Sequence, residues 1–200
     1  MLFTTDEIAS AGGRDDWQGA HDSNGDGSID LTSERFFGAS LNAAKRDRGS
    51  MSMTTMGSRA FLAFHEGRGI IASGDTSPEA TARLGAMRDA AILAWEESIA
   101  ATGIHYINDT IADMENIGGE DYSFADHAKH WSELKGFMFA PQFNPRSPLS
   151  AVDFAMVHTL IQDRPVLVEG DTAAAIADFE TARGLLAAAY GFESTDVENW

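Results

Sequence analysis

The chain is 200 residues long with 44% hydrophobic residues, enough for one domain with a real core, alone or with a small appendage. A formal charge of −17 argues against nucleic-acid or anionic-membrane partners, whose phosphates need Lys and Arg, and suits cations or a salty medium. Zero Cys removes disulfides, thiolate zinc sites and cysteine catalysis without choosing a compartment, and no run approaches the roughly 20 apolar residues of a membrane span.

Residues 1–20 carry scattered acids, Gly12-Gly13 and little periodicity, and read as an extended or weakly helical lead-in; Met1-Leu2-Phe3 followed by Thr4-Thr5-Asp6-Glu7 does not read as an export signal. His21 to Glu34, HDSNGDGSIDLTSE, then follows an EF-hand-like calcium loop. Asp22, Asn24 and Asp26 fall at positions 1, 3 and 5, Gly27 supplies the turn at 6, Ser28 offers its carbonyl at 7, and Asp30 stands at 9. Position 12 holds Ser33 instead of the bidentate Glu, with Glu34 one place late. The site is then either weak, as in extracellular modules, or closed by Glu34 through a small distortion; the same residues also read as a plain Asx-turn loop.

Ser33 is placed to cap a short helix from Glu34 to about Arg46. A second helix is expected from about Ser52 to Ile71, with Met53, Met56, Ala60, Phe64 and Ile71 on its inner stripe. His65-Glu66 lacks the second histidine of a zinc-protease HExxH motif and reads as surface or packing. Ser77-Pro78-Glu79 starts a long helix to about Glu115, bent near Gly103. Within it Leu93, Glu97, Ala100, Ile104, Ile107, Ile111 and Met114 alternate at steps of four and three, which puts the Glu97 carboxylate on an apolar seam. A carboxylate buried there must be protonated or paired with Arg, His or a metal; a seam ending at Leu93 leaves it at the rim. His105 and Asp109 lie one turn apart on a neighbouring face.

The densest chemistry lies at 121–148, DYSFADHAKHWSELKGFMFAPQFNPRSP. Ser123 caps a helix with Asp126 three residues on, and Gly136, Pro141 and Asn144-Pro145 break its period. One stripe, Phe124, His127, Trp131, Leu134 and Met138, is apolar except for the histidine. The next holds Asp126, His130, Glu133 and Phe137, and its alternation of acid and histidine suits a divalent metal or a carboxylate-oriented base as well as a solvated ion pair. His127 is expected in the core, bonded to a backbone carbonyl or to an acid such as Glu97, while His130 with Glu133 faces a cleft or solvent. Glu97, His127, His130 and Glu133 are thus the candidates for a second metal site, for iron or zinc. Ser147-Pro148 starts another helix with Leu149, Val152, Met156 and Leu160 inward, and Asp171 caps a last one through Tyr190. Strand signals are nearly absent, so the expected fold is all-α: residues 1–50 as a lead-in with the calcium-type loop, and 51–200 as an antiparallel helical bundle.

Four segments, AFHEGRGII at 63–71, WEESIAATGIHYIND at 95–109, FADHAKHWSELKGFMFAPQFNPRSPLS at 124–150 and GLLAAAYGFESTDVENW at 184–200, resemble an uncharacterised family of bacterial envelope proteins and lipoproteins akin to the imelysin-like proteins. The resemblance covers about residues 60–200 and implies an all-helical fold and an extracytoplasmic setting. Members of that family are longer, with an export signal and further helices ahead of the matched part, so the chain reads as a fragment or trimmed chain. Imelysins are associated with iron uptake and carry a Gly-x-His-x-x-Glu signature; the nearest analogue here is His130-x-x-Glu133, preceded by Ala128 and Lys129.

Three functions remain open on these residues. The first is a non-catalytic envelope module that binds a metal ion or small ligand and is stabilised by calcium. The second is a metal-dependent hydrolase of the cell envelope, which needs Glu97, His127, His130 and Glu133 to converge. In the third, a structural or assembly domain docks an envelope protein partner through its aromatic helix exit.

Overall fold

Helix starts in this chain are set by caps, some local and one remote. The computed structural model describes residues 25–28 and 38–200. The helices are α1 (Gly38–Gly49), α2 (Met56–Ser73), α3 (Pro78–Glu115), α4 (Phe124–Met138), α5 (Ala151–Leu160), α6 (Thr172–Tyr190) and α7 (Ser194–Val197), with a 3₁₀ turn at Ala140–Phe143. Among the described residues there is no strand, and the chain is all-helical, compatible with an all-α bundle.

Ser77 caps α3, Ser123 caps α4 and Asp171 caps α6, each accepting the amide three residues on. Gly74 and Gly191 end α2 and α6 in the left-handed conformation that glycine adopts without a Cβ penalty. The expected start of α1 at Glu34 lies outside the described residues, and its end falls at Gly49 instead of Arg46.

Three expectations are corrected. The second helix begins at Met56, not at Ser52, because the Asp47 carboxylate reaches across from α1 to accept the Met56 and Gly57 amides at 2.9 Å each. This remote carboxylate serves two first-turn donors that no local side chain satisfies. The buried face of α2 is Met56, Ala63 and Gly67, while Met53, Phe64 and Ile71 are exposed. Helix α3 comes close enough that a Cβ on Gly67 would touch Leu84 and Met87, so small residues, not bulky ones, face inward. Helix α5 starts three residues late: Ser150 and Asp153 form a reciprocal cap, Ser150 Oγ accepting the Asp153 amide and donating to its carboxylate. That later start turns the inward face to Val157 with Ile161 just past the end, leaving Val152 and Met156 exposed.

Two compact units form, and they divide inside α3. Described residues up to Gly49 join Met53–Ser98 in one; Ser50–Ser52 and Ile99–Trp200 make the other. A division at 50, as read from the sequence, separates α1 from the rest; the contacts instead divide the chain between Ser98 and Ile99, where uninterrupted helical periodicity leaves no mark.

The second unit is built on Ile104, Ile107, Met114, Leu134, Met138, Phe179 and Leu186, all fully buried. Gly103 continues the helix and provides a notch, since a Cβ there would run into the Met138 thioether. The C-terminal residues close this unit through polar anchors. Asn108 donates to the carbonyls of Val197 and Trp200 and accepts from Arg183, and fully buried Asp196 accepts the amides of Met51 and Ser52 and the Ser52 hydroxyl. No helix among the described residues is long and apolar enough to cross a membrane.

Candidate functional site

On the second half of α3, His105, Asp109 and Asp113 recur every four residues and so share one face, with Tyr106 beside it. Helix α4 presents His127, His130, Glu133 and Phe137. Between the two helices these side chains form a polar and aromatic cluster. Asp113 Oδ2 lies 2.8 Å from His130 Nδ1, and both side chains are partly exposed. Because a carboxylate only accepts, His130 carries its proton on Nδ1, and in the neutral ring Nε2 is left as a lone pair. The Tyr106 ring stacks on Phe137 and lies 6.2 Å from the His130 ring, walling the dyad on one side. His105 and Asp109 make a second pair at 3.3 Å, turning the sequence spacing into a contact.

His127 is fully buried, as its stripe predicts, but its partner is neither a backbone carbonyl nor Glu97. The Tyr122 hydroxyl lies 3.1 Å from Nδ1, and buried Nε2 has no partner. Burial depresses the His127 pKa below its usual value, opposed by the Asp113 charge and assisted by His130, so the ring stays neutral. Tyr122 is held above its usual pKa by burial and by Asp113, and keeps its proton. Glu133 also holds a buried oxygen, Oε2, without a partner. An orphaned buried polar atom costs about 1–3 kcal/mol, so each of the two marks a place where packing has not been optimised for stability alone.

On a neighbouring face of the same helix the polar groups are paired. The Trp131 indole donates to the Ile161 carbonyl at 2.9 Å, and the Lys135 ammonium donates to Gln162 O at 2.6 Å, 3.5 Å from Asp163 and 5.8 Å from the Trp131 ring. Both residues therefore close over carbonyls at the C-terminal end of α5, where positive charge is favoured. His158 of α5 is a hub. Its Nε2–H donates to Met138 O, Lys135 stands 3.5 Å from Nδ1, and Phe139 and Phe154 flank the ring. Its pKa is lowered mainly by burial.

Glu97 belongs to the other unit. It is buried, as the seam requires, and its partner is Arg59 of α2. Of the four candidate metal ligands, then, the second unit brings His127, His130 and Glu133 onto adjacent faces of α4, while Glu97 is an ion-pair residue. Among the described residues no group of three or more His, Cys, Asp or Glu is arranged to hold a metal ion. Asp113 and Tyr122 were not singled out in the sequence, although Asp113 continues the four-residue spacing of His105 and Asp109 and Tyr122 directly precedes the Ser123 cap.

Of the calcium-type loop, Asp26 and Ser28 are described, and Asp22, Asn24, Asp30 and Glu34 lie outside the described residues. Gly27 has φ 82°, the sharp turn expected of it, and Gly25 has φ 73°. The Ser28 amide and hydroxyl both donate to Asp26 Oδ1, at 2.8 and 3.0 Å. No family model, curated protein or solved structure matches the chain.

Proposed function

We propose that the chain is a non-catalytic, extracytoplasmic binding module, an antiparallel imelysin-like bundle that takes a metal ion or metal-bearing small ligand at His130 and is stabilised by calcium in its N-terminal loop. One observation carries the reading: Asp113 fixes His130 through Nδ1, leaving Nε2 as a lone pair on a partly exposed ring, with Glu133 three residues on. A carboxylate behind an imidazole is the arrangement that orients metal-binding histidines and raises their basicity. His130 and Glu133, three residues apart on α4, would supply two donors, and water or a small chelator would complete the coordination shell. That suits capture and release better than a structural ion closed by four protein ligands. The resemblance to envelope proteins and the −17 charge, which gathers cations, support the same reading. The hydrolase alternative is less favoured because Glu97, one of the four residues it needs, is engaged by Arg59.

Calorimetric titration of the full chain with Zn²⁺, Ni²⁺ and ferric citrate at pH 7 tests this. One-to-one binding is expected, abolished in His130→Ala and weakened about tenfold in Asp113→Asn. Equal binding by His130→Ala, or no binding of any of the three, contradicts it. The calcium part is separate. Calcium at a hundredfold excess over its Kd should add about 2.7 kcal/mol to stability, and Asp26→Ala should remove that gain. A melting curve unmoved by millimolar calcium rules the calcium site out.

A further inference from the structure

In the unit that lacks the histidine cluster, the small face of α2 leaves a groove against α3. It is a cavity of about 280 Å³, walled by Ala63, Phe64, Gly67, Ile71, Leu84 and Met87. Its floor is shallow because Ala63 and Gly67 carry almost no side chain, and its rim is tall because Phe64 and Ile71 stand 58% and 67% exposed. Two large apolar side chains held open to water beside an apolar floor are the mark of a surface that something covers.

The charge at this groove runs against the rest of the chain. The sequence holds 31 acids and 14 Lys and Arg, yet the charged residues that line the groove are Arg68 and Arg88, whose apolar stems form part of its wall, Arg88 being paired with its neighbour Asp89. Among the described residues Arg68 has no hydrogen bond or ion pair. Arg88 is held by Asp89 through Nε and Nη2, which leaves Nη1 unengaged. A planar guanidinium matches a carboxylate in two parallel hydrogen bonds, which a point cation does not. The volume lies just below the usual range for ligand pockets and is enough for a hydrocarbon chain.

We propose that this groove binds a single-chain amphiphile with a carboxylate head, its chain on the Ala63, Gly67, Leu84 and Met87 floor and its head on Arg68. The site is independent of the histidine cluster, and His130→Ala leaves it intact.

The test is titration of the full chain with dodecanoate, dodecanol and dodecylamine, each below its micelle concentration, read by displacement of a fluorescent fatty-acid probe. Dodecanoate binds once per chain, dodecanol about tenfold more weakly, and dodecylamine more weakly still. Arg68→Ala lowers dodecanoate affinity about tenfold while leaving dodecanol binding unchanged, and Ile71→Asp removes both. Both side chains are exposed, so the two variants keep the wild-type melting temperature. Equal affinity for dodecanoate and dodecanol, or dodecanoate binding untouched by Arg68→Ala, overturns the proposal. So does co-sedimentation with phosphatidylglycerol vesicles without dodecanoate binding, which would assign the arginines to a lipid surface.

Discussion

Helix α4 uses the same kinds of side chain on two neighbouring faces, to opposite ends. Around Trp131 and Lys135 every donor finds an acceptor: the indole takes Ile161 O, the ammonium takes Gln162 O, and His158 takes Met138 O. Around His127 and His130 the account does not close, because His127 Nε2 and Glu133 Oε2 are buried without partners. A saturated network rigidifies a fold, whereas an unsatisfied one costs stability and leaves chemistry free for a ligand. Residue type alone does not separate them; the partner of each nitrogen does.

The contrast is sharpest in the saturated half. Trp131→Ala removes a large ring and leaves the Ile161 carbonyl without its donor, so it should cost about 3 kcal/mol in urea unfolding while metal binding at pH 7 persists. A near-neutral Trp131→Ala would break the division by showing that the lock over α5 holds nothing.

His127 comes next, at about 2 kcal/mol for His127→Ala, from lost packing and a Tyr122 hydroxyl left without its partner. It also carries a pH signature. Burial depresses the pKa of His127 and of His158 below the usual value of 6.5, so in the unfolded chain these rings take up protons at a higher pH than in the folded one. Their contribution to stability is therefore complete above pH 6.5 and is lost as pH falls from there through the depressed values. Unfolding measured across that range should show stability declining with acid, and His127→Leu should flatten the decline. A slope identical to wild type would place the ring in contact with water.

How much of this was legible beforehand depends on what the sequence encodes. The apolar stripe placed His127, Leu134 and Met138 in the core, and the four-three spacing placed Glu97 on a buried seam, because helical periodicity reports faces directly. It failed on α2, where close helix packing selects Ala63 and Gly67 for the inner face and bulk misleads. On α5 it failed by register, since the Ser150 and Asp153 cap prevailed over the Ser147-Pro148 start. The remote Asp47 cap and the Trp131 and Lys135 lock were out of reach for another reason: their partners are backbone groups, which every residue possesses and no pattern of side chains announces. Of the site, His130 with Glu133 was legible as a stripe, whereas Asp113 comes from helix α3 and Tyr122 from the loop before α4, which only folding brings near.

The smallest expected stability effect belongs to His130. His130→Ala should cost about 1 kcal/mol or less, since ring and partner are partly exposed, yet it should abolish metal binding. Ring-nitrogen NMR of the full chain during a Zn²⁺ titration decides whether the His130 face of α4 is the ligand site and the Trp131 and Lys135 face is architecture. Expected are a proton on Nδ1 of His130, a metal-induced shift at its Nε2, and His127 and His158 resonances that stay where they were. Movement of His158 or His127 with His130 unchanged would contradict that assignment.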